Sequence, residues 1–96
     1  MILHTLNASP GSSAFNDCLK VITPGDSLLL MGDGVYAAIA DTDASRKLGS
    51  CGAHIHILQQ DAVARGIDKL VTEANRVDLD GFVTLTEQYP RQQAWY

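Results

Sequence analysis

Residues 27–31, Ser-Leu-Leu-Leu-Met, run directly into residues 32–38, Gly-Asp-Gly-Val-Tyr-Ala-Ala, and this junction indicates the fold class. The first segment has no polar alternation along its apolar run, which is typical of a strand buried on both faces of a sheet. The Asp33-Gly34 pair indicates a turn, and residues 35–40 are predicted to form a short helix. Because open α/β sheets build their sites where parallel strands end, the junction also points to one edge of the sheet.

The segments on either side of this junction alternate between strand and helix. Strands are predicted at residues 2–6, 53–58 and 76–78, and helices at residues 12–22, 60–65 and 80–89. Residues 41–52 are polar and contain one helical turn at most, and residues 91–96 form a tail. This order predicts a single α/β domain over residues 1–96, with a mainly parallel sheet of four to five strands and right-handed crossovers.

The charge balance restricts the class of partner. The chain has 96 residues, with 7 Lys and Arg against 11 Asp and Glu, which gives a net charge of −4. A nucleic-acid-binding module needs a basic surface to displace phosphate counterions, so direct nucleic-acid binding is not expected. The N-terminal residues do not resemble a signal peptide and no apolar run reaches the length of a membrane span, so we expect a cytoplasmic protein without a membrane segment.

Two cysteines are the candidate nucleophiles. Cys18 lies on the predicted apolar helix face with Phe15 and Ile22. It is therefore either a small core residue or a thiol that carries sulfur as a persulfide. Cys51 precedes a predicted strand and is expected to be exposed, at the edge of the sheet away from the usual α/β sites. We interpret it as incidental.

The histidines and Asp33 each have a structural and a chemical interpretation. His54 and His56 share one strand face, where they form a half-exposed surface or two ligands of a metal, but no third ligand is close in sequence. His4 is expected to be a hydrogen-bonded histidine in the core or at a sheet edge. Asp33 is either an acid–base group or, as is more usual beside a glycine, a turn or helix-capping carboxylate.

Three aromatic residues are candidates for contacts. Tyr36 follows a strand end and is expected to line a pocket or an interface. Trp95 and Tyr96 close the chain and are expected to anchor the tail either on the body of the domain or on a partner. The usual nucleotide-binding glycine motifs are absent from the sequence, so no cofactor is predicted.

Several short motifs, in this order and spacing, make the whole chain resemble the TusB/DsrH family of small sulfur-relay subunits in the DsrE/F/H superfamily. The motifs are Leu3-His4-Thr5-Leu6 with Ser9-Pro10, Asp33-Gly34-Val35-Tyr36-Ala37-Ala38, Leu58 with Asp61 and Ala64-Arg65-Gly66, Val77-Asp78 with Gly81-Phe82-Val83, and Gln93-Ala94-Trp95. The resemblance implies a flavodoxin-like three-layer fold.

The resemblance also implies a function within an assembly. It implies a heterohexamer with TusC/DsrF-like and TusD/DsrE-like subunits, two copies of each. Such a complex accepts persulfide sulfur from a TusA-like carrier and passes it to a TusE-like carrier. In one branch of the superfamily the sulfur ends as 2-thiouridine at the tRNA wobble position, and in the other branch similar subunits serve sulfur oxidation.

The resemblance leaves the role of this subunit between two hypotheses. The principal sulfur-carrying cysteine of such complexes belongs to the TusD/DsrE subunit, which implies a structural or auxiliary role here. Some DsrH-like members carry a cysteine in the first helix, where Cys18 lies, so the alternative is a sulfurtransferase that carries a persulfide on Cys18. Asp33, Gly34, Tyr36 and Trp95 are expected to be structural or to form an interface.

Overall fold

A parallel sheet of five strands forms the centre of the computed structural model, which describes residues 1–71 and 74–96. All the pairings between neighbouring strands are parallel, and the spatial order is β4-β3-β2-β1-β5. The strands are β1 (Leu3–Leu6), β2 (Ser27–Leu30), β3 (His54–Leu58), β4 (Asn75–Val77) and β5 (Gln92–Trp95). The predicted fold class is confirmed.

Strand β2 lies at the middle of the sheet, and all four of its residues are buried. Leu28 and Leu30 belong to a core cluster on one face of the sheet, whereas Leu29 belongs to a second cluster on the other face. Side chains of successive strand residues point to opposite faces, so a strand covered on both sides must be apolar at every position. The uninterrupted leucine run has this physical cause.

Helices cover the two faces unequally. The α-helices are α1 (Ser13–Val21), α2 (Asp43–Ser50), α3 (Gln59–Ala64) and α4 (Leu79–Gln88). Residues of α1, α2 and α3 share the core cluster of Leu28, whereas Leu85 of α4 shares the cluster of Leu29. From β1 to β4 the chain adds each strand on the same side of the previous one, and it then returns to place β5 on the other side of β1. Because the crossovers are right-handed, the connections that carry α1, α2 and α3 lie on one face of the sheet, and the returning connection with α4 lies on the opposite face.

The segment after β2 differs from the prediction of a helix at residues 35–40. It is a 3-10 helix over Gly32–Ala38, which begins three residues earlier than expected. Gly32 adopts a positive φ of 53°, which turns the chain sharply out of the strand. The backbone of Gly34 passes so close to β1 that a Cβ there would overlap the carbonyl oxygen of Leu6. The tight approach is compatible with glycine alone.

Helix α2 is longer than the one helical turn expected within residues 41–52. It begins with a reciprocal capping box, in which the Thr42 hydroxyl accepts from the Ser45 N–H and the Ser45 hydroxyl accepts from the Thr42 N–H. A capping box satisfies backbone donors that the first helical turn leaves unpaired. Leu48 and Ser45 are buried beneath the helix, and these few contacts are enough to fold a polar segment.

The C-terminal segment is a strand, whereas the sequence predicts a tail without regular structure. Strand β5 pairs in parallel with β1, and the backbone N–H of Asn7 donates to the carbonyl oxygen of Trp95 over 3.0 Å. The other boundaries agree with the predictions within a residue or two. Asp78, which was expected in the fourth strand, instead caps α4 by accepting from the Gly81 N–H over 2.8 Å.

Candidate functional site

The edge of the sheet at which the strands end is built from the 3-10 helix and α3. The carboxylate of Asp61, in the first turn of α3, accepts a hydrogen bond of 2.7 Å from the backbone N–H of Gly32. Arg65, which ends α3, donates through Nε and Nη2 to Asp33 Oδ1 over 3.2 and 3.1 Å. These bonds join the connection after β2 to the connection after β3.

Asp33 forms an ion pair that the sequence did not predict. It lies in the first turn of the 3-10 helix, but its carboxylate pairs with Arg65 and does not cap a backbone N–H. The side chain of Asp33 is 61% exposed, so the ion pair lies in water and contributes about 0–1 kcal/mol. Its carboxylate therefore lacks the burial that prepares a catalytic acid or base.

Tyr36 and Val63 place apolar surface at the same edge. Tyr36 is 38% exposed on the 3-10 helix, and Val63 is 66% exposed on α3. The two elements pack against each other. The inward-facing residues of the same 3-10 helix, such as Val35, are buried and hold Tyr36 against the core.

Cys18 lies inside the main core, with no part of its surface exposed. Its neighbours in the cluster include Phe15 and Ile22, which continue the apolar face of α1. Burial, and secondarily the nearby Cys51 thiol, raise the pKa of Cys18 from 9.0 to about 12. Because the thiolate is the nucleophile in sulfur transfer, this environment opposes the chemistry that a persulfide carrier needs.

Cys51 ends α2 and is half-buried, whereas the sequence predicts an exposed thiol. Its Sγ donates to the carbonyl oxygen of Leu48 over 3.1 Å, a bond that requires the protonated thiol. A groove of about 590 Å³ runs beside it between α1 and α2, with Lys20 and Lys47 on its two sides. Cys51 precedes β3 and therefore lies at the opposite edge of the sheet from Tyr36.

The two histidines of β3 line a cavity of about 850 Å³, together with residues of α2 and α4. His54 is exposed, and His56 is half-buried with the Asn75 amide donating to its Nδ1 over 3.2 Å. Burial, and secondarily the neighbouring His54, lower the pKa of His56. Within residues 1–71 and 74–96, no three His, Cys, Asp or Glu side chains come together as metal ligands.

A buried polar chain joins three distant segments. His4 Nε2 lies 3.1 Å from Asp26 Oδ2, and the Trp95 indole N–H donates to His4 Nδ1 over 3.2 Å. Trp95 therefore anchors the last strand on the body of the domain, one of the two alternatives that the sequence left open. His4 is fully buried and hydrogen-bonded, as expected.

Asp26 is the member of this chain that sequence reasoning missed. Burial by itself raises the pKa of Asp26. Hydrogen bonds from the backbone N–H groups of Thr23 and Ile2, and from the side chains of His4 and Thr23, stabilise the carboxylate and outweigh burial, so the pKa falls from 3.8 to about 2. Only its place at the turn before a buried strand could have indicated the residue.

The described part of the chain also contains no helix long and apolar enough to cross a membrane.

The described residues thus place exposed apolar side chains at one edge of the sheet and bury the Cys18 thiol in the core, where its pKa is raised. The sequence model of the family described as DsrH like protein matches residues 8–92. Protein TusB of Pectobacterium parmentieri is 35% identical over 95 residues, which cover 98% of this chain and 100% of that protein. Protein TusB of Photorhabdus laumondii is 38% identical with the same coverage.

A solved structure supports the fold independently. The crystal structure of the ychN protein from Escherichia coli superposes with a TM-score of 0.81, covering 97% of each chain, although only 17% of the residues are identical. At this identity the likeness concerns the fold alone.

Protein TusB of Escherichia coli K12 is 35% identical over 98% of this chain and 100% of its own length. With the family match over residues 8–92, these similarities establish that the chain belongs to the TusB/DsrH family.

Proposed function

We propose that this chain is an auxiliary subunit of a cytoplasmic sulfur-relay complex of the TusBCD/DsrEFH type. It assembles with TusC/DsrF-like and TusD/DsrE-like subunits into a heterohexamer that passes persulfide sulfur from a TusA-like carrier to a TusE-like carrier. The end product that we favour is 2-thiouridine at the tRNA wobble position. Membership of the TusB/DsrH family, shown by full-length relatives named Protein TusB, supports the relay.

The burial of Cys18 is the observation that carries the auxiliary role. Sulfur transfer requires a thiolate to attack the sulfane sulfur of an incoming persulfide, and the donor cysteine leaves as a thiolate. The Cys18 thiol is fully buried and its pKa is raised to about 12, so both access and ionisation are lacking. A sulfurtransferase role for Cys18 would require α1 to move away from the sheet at every transfer.

The edge built by the 3-10 helix and α3 is the part of the surface that we assign to subunit contact. Tyr36 and Val63 supply exposed apolar area, and the pair of Asp33 and Arg65 supplies polar groups at its margin. Apolar centres with polar margins are the usual anatomy of protein interfaces. Gly34 serves this surface indirectly, because it holds the 3-10 helix against β1.

Sulfur loading of the assembled complex tests the division of labour. The purified complex is charged with labelled persulfide from a TusA-like carrier, and each cysteine that gains sulfur is identified by mass spectrometry. We expect no persulfide on Cys18 and full transfer to the TusE-like carrier in a complex that contains Cys18→Ala. Label on Cys18, together with loss of transfer in the variant, would replace the auxiliary role with the sulfurtransferase role.

A binding measurement tests the contact surface separately. Tyr36→Ala should weaken association with the TusC- and TusD-like subunits by about tenfold or more, since interface aromatics commonly contribute over 1 kcal/mol. Tyr96→Ala is the matched control, because Tyr96 is also an exposed tyrosine but follows β5 and belongs to neither the 3-10 helix nor α3. Equal affinity of both variants and the wild type in analytical ultracentrifugation would place the interface elsewhere.

A further inference from the structure

Strand β5 lies at one edge of the sheet and leaves most of its side chains exposed. Gln92, Gln93 and Ala94 are exposed, and β1 is the one strand among residues 1–71 and 74–96 that pairs with β5. Trp95 is the residue of β5 that packs against the main core. Beyond its backbone ladder, the strand is held by this packing, by the indole bond to His4, and by the Gln92 amide, which donates to the carbonyl oxygens of Thr86 and Tyr89.

The donor and acceptor roles in this bond determine the protonation state of His4. An indole N–H can only donate, so His4 Nδ1 must offer a lone pair. The single ring proton of the neutral imidazole then lies on Nε2, which donates to Asp26 Oδ2 over 3.1 Å. The docked arrangement of β5 thus requires a neutral His4 with its proton on Nε2.

Addition of one proton affects the two sides of the ring in opposite ways. In the imidazolium both ring nitrogens are donors, so the protonated Nδ1 would face the Trp95 N–H, two donors 3.2 Å apart. On the other side the cation strengthens its pairing with the Asp26 carboxylate. Protonation of His4 therefore breaks the bond to β5 and preserves the bond to the segment before β2.

Among the groups around His4, the Trp95 indole is the one whose hydrogen bond is lost when the ring gains a proton. In the sheet, His4 lies between Leu28 of β2 and Gln93 of β5, and neither side chain carries a charge. Helix α1 packs against β1 and brings Cys18 to the core, where burial raises the pKa of that thiol to about 12 and keeps it neutral. Asp26, from the turn before β2, is the charged group in direct contact.

We propose that His4 is a proton-operated latch for strand β5. With a neutral imidazole, Trp95 is hydrogen-bonded and β5 is docked on β1. A proton taken from acidic solvent onto His4 Nδ1 removes that bond, and the C-terminal end of β5 detaches while β1 and β2 remain joined through His4 and Asp26. Asp26 remains the anionic partner of the ring, because its carboxylate also accepts hydrogen bonds from Thr23 and Ile2. This latch does not depend on the function proposed above.

Nuclear magnetic resonance of the full chain tests the latch directly, because Trp95 is the only tryptophan. A His54→Gln/His56→Gln background leaves His4 as the single titrating imidazole. We expect an Nε2-protonated ring at neutral pH. On acidification, the Trp95 indole and β5 amides should lose hydrogen-exchange protection at least tenfold, with the same midpoint as His4, while Leu28–Leu30 stay protected.

Three results of that titration would overturn the proposal. They are a proton on Nδ1 at neutral pH, titration of His4 without any change at the indole, and simultaneous loss of protection in β2, which would indicate ordinary acid unfolding. Trp95→Phe provides a second test, since it keeps a ring but removes the donor. Its β5 amides should exchange fast at every pH, whereas the neighbouring control Tyr96→Phe should retain the wild-type pH dependence. Wild-type behaviour of Trp95→Phe would also refute the latch.

Discussion

Replacement of Gly34 by alanine should strongly destabilise the fold. A Cβ at this position would lie well under 3.0 Å from the Leu6 carbonyl oxygen, which is backbone and has no rotamer to adopt. That oxygen accepts from the Met31 N–H over 3.1 Å, and the Gly34 N–H donates to the Met31 carbonyl oxygen over 2.9 Å. The methyl group can be accommodated only if the 3-10 helix moves away from β1 and these bonds lengthen.

The cost follows from two contributions. Overpacking of a tight site costs about 1–3 kcal/mol, and a buried backbone group left without its partner costs about 1–3 kcal/mol more. We therefore expect Gly34→Ala to lower the free energy of unfolding by about 2–6 kcal/mol, out of a total of roughly 5–14 kcal/mol for a domain of this size. Since 1 kcal/mol shifts the melting temperature of such a domain by about 4–8 °C, the melting temperature should fall by about 8 °C or more.

Thermal and urea unfolding of the full chain, followed by circular dichroism, measure this loss. Gly49→Ala is the matched control, because Gly49 lies in α2 and a Cβ added there would meet no atom within 4 Å. The same added methyl should leave stability unchanged or raise it by about 0.5–1 kcal/mol, since alanine favours helix over glycine. A Gly34→Ala protein within about 1 kcal/mol of the wild type would refute the steric argument.

Three further predictions concern buried polar groups and thiols. The pKa of Asp26 is lowered from 3.8 to about 2, so the ionised carboxylate stabilises the fold above pH 4 and this stabilisation is lost as the pH falls toward 2. Between pH 4 and pH 2 the free energy of unfolding, measured by urea titration, should fall by about 2 kcal/mol more in the wild type than in Asp26→Asn, and equal losses would contradict the prediction. Iodoacetamide at pH 8 should modify Cys51 at least a hundredfold faster than Cys18, because Cys18 is fully buried and its pKa of about 12 leaves very little thiolate. Peptide mass spectrometry after timed quenching measures both rates, and equal rates would show that α1 opens readily. Tyr89→Phe removes the hydroxyl that lies 2.6 Å from the buried Ser27 hydroxyl. The urea midpoint should therefore fall by the equivalent of about 1 kcal/mol in the free energy of unfolding, and an unchanged midpoint would mean that water replaces the bond.

The local features of this chain were predictable because they repeat at the period of one element. The leucines of β2 indicate burial on both faces, and the two core clusters divide them between those faces. The spacing of Phe15, Cys18 and Ile22 indicates one apolar helix face, and all three are buried in the main core. Each of these patterns lies within a few residues and depends on the hydrophobic effect alone.

Features that depend on short polar bonds were harder to predict. Helix α2 has little apolar content, and the reciprocal bonds of Thr42 and Ser45 form its start where the pattern indicated one turn at most. The ion pair of Asp33 and Arg65 joins residues 32 positions apart, so the sequence indicated an acid–base group or a turn or helix-capping carboxylate but not this partner. Such bonds depend on which loops meet at one edge of the sheet, and a local pattern does not contain that information.

Residue types and their local periodicity were sufficient to establish the fold class and the succession of the first four strands along the chain, and the short motifs indicated the family. The docking of the last strand and the environment of each thiol required the folded chain. Trp95 meets His4 across 91 positions, and Gln92–Trp95 becomes a strand because β1 offers an unpaired edge, not because of its own composition. Cys18 has a raised pKa because the sheet and helices around it exclude water, and long-range packing of that kind arises only when distant segments come together.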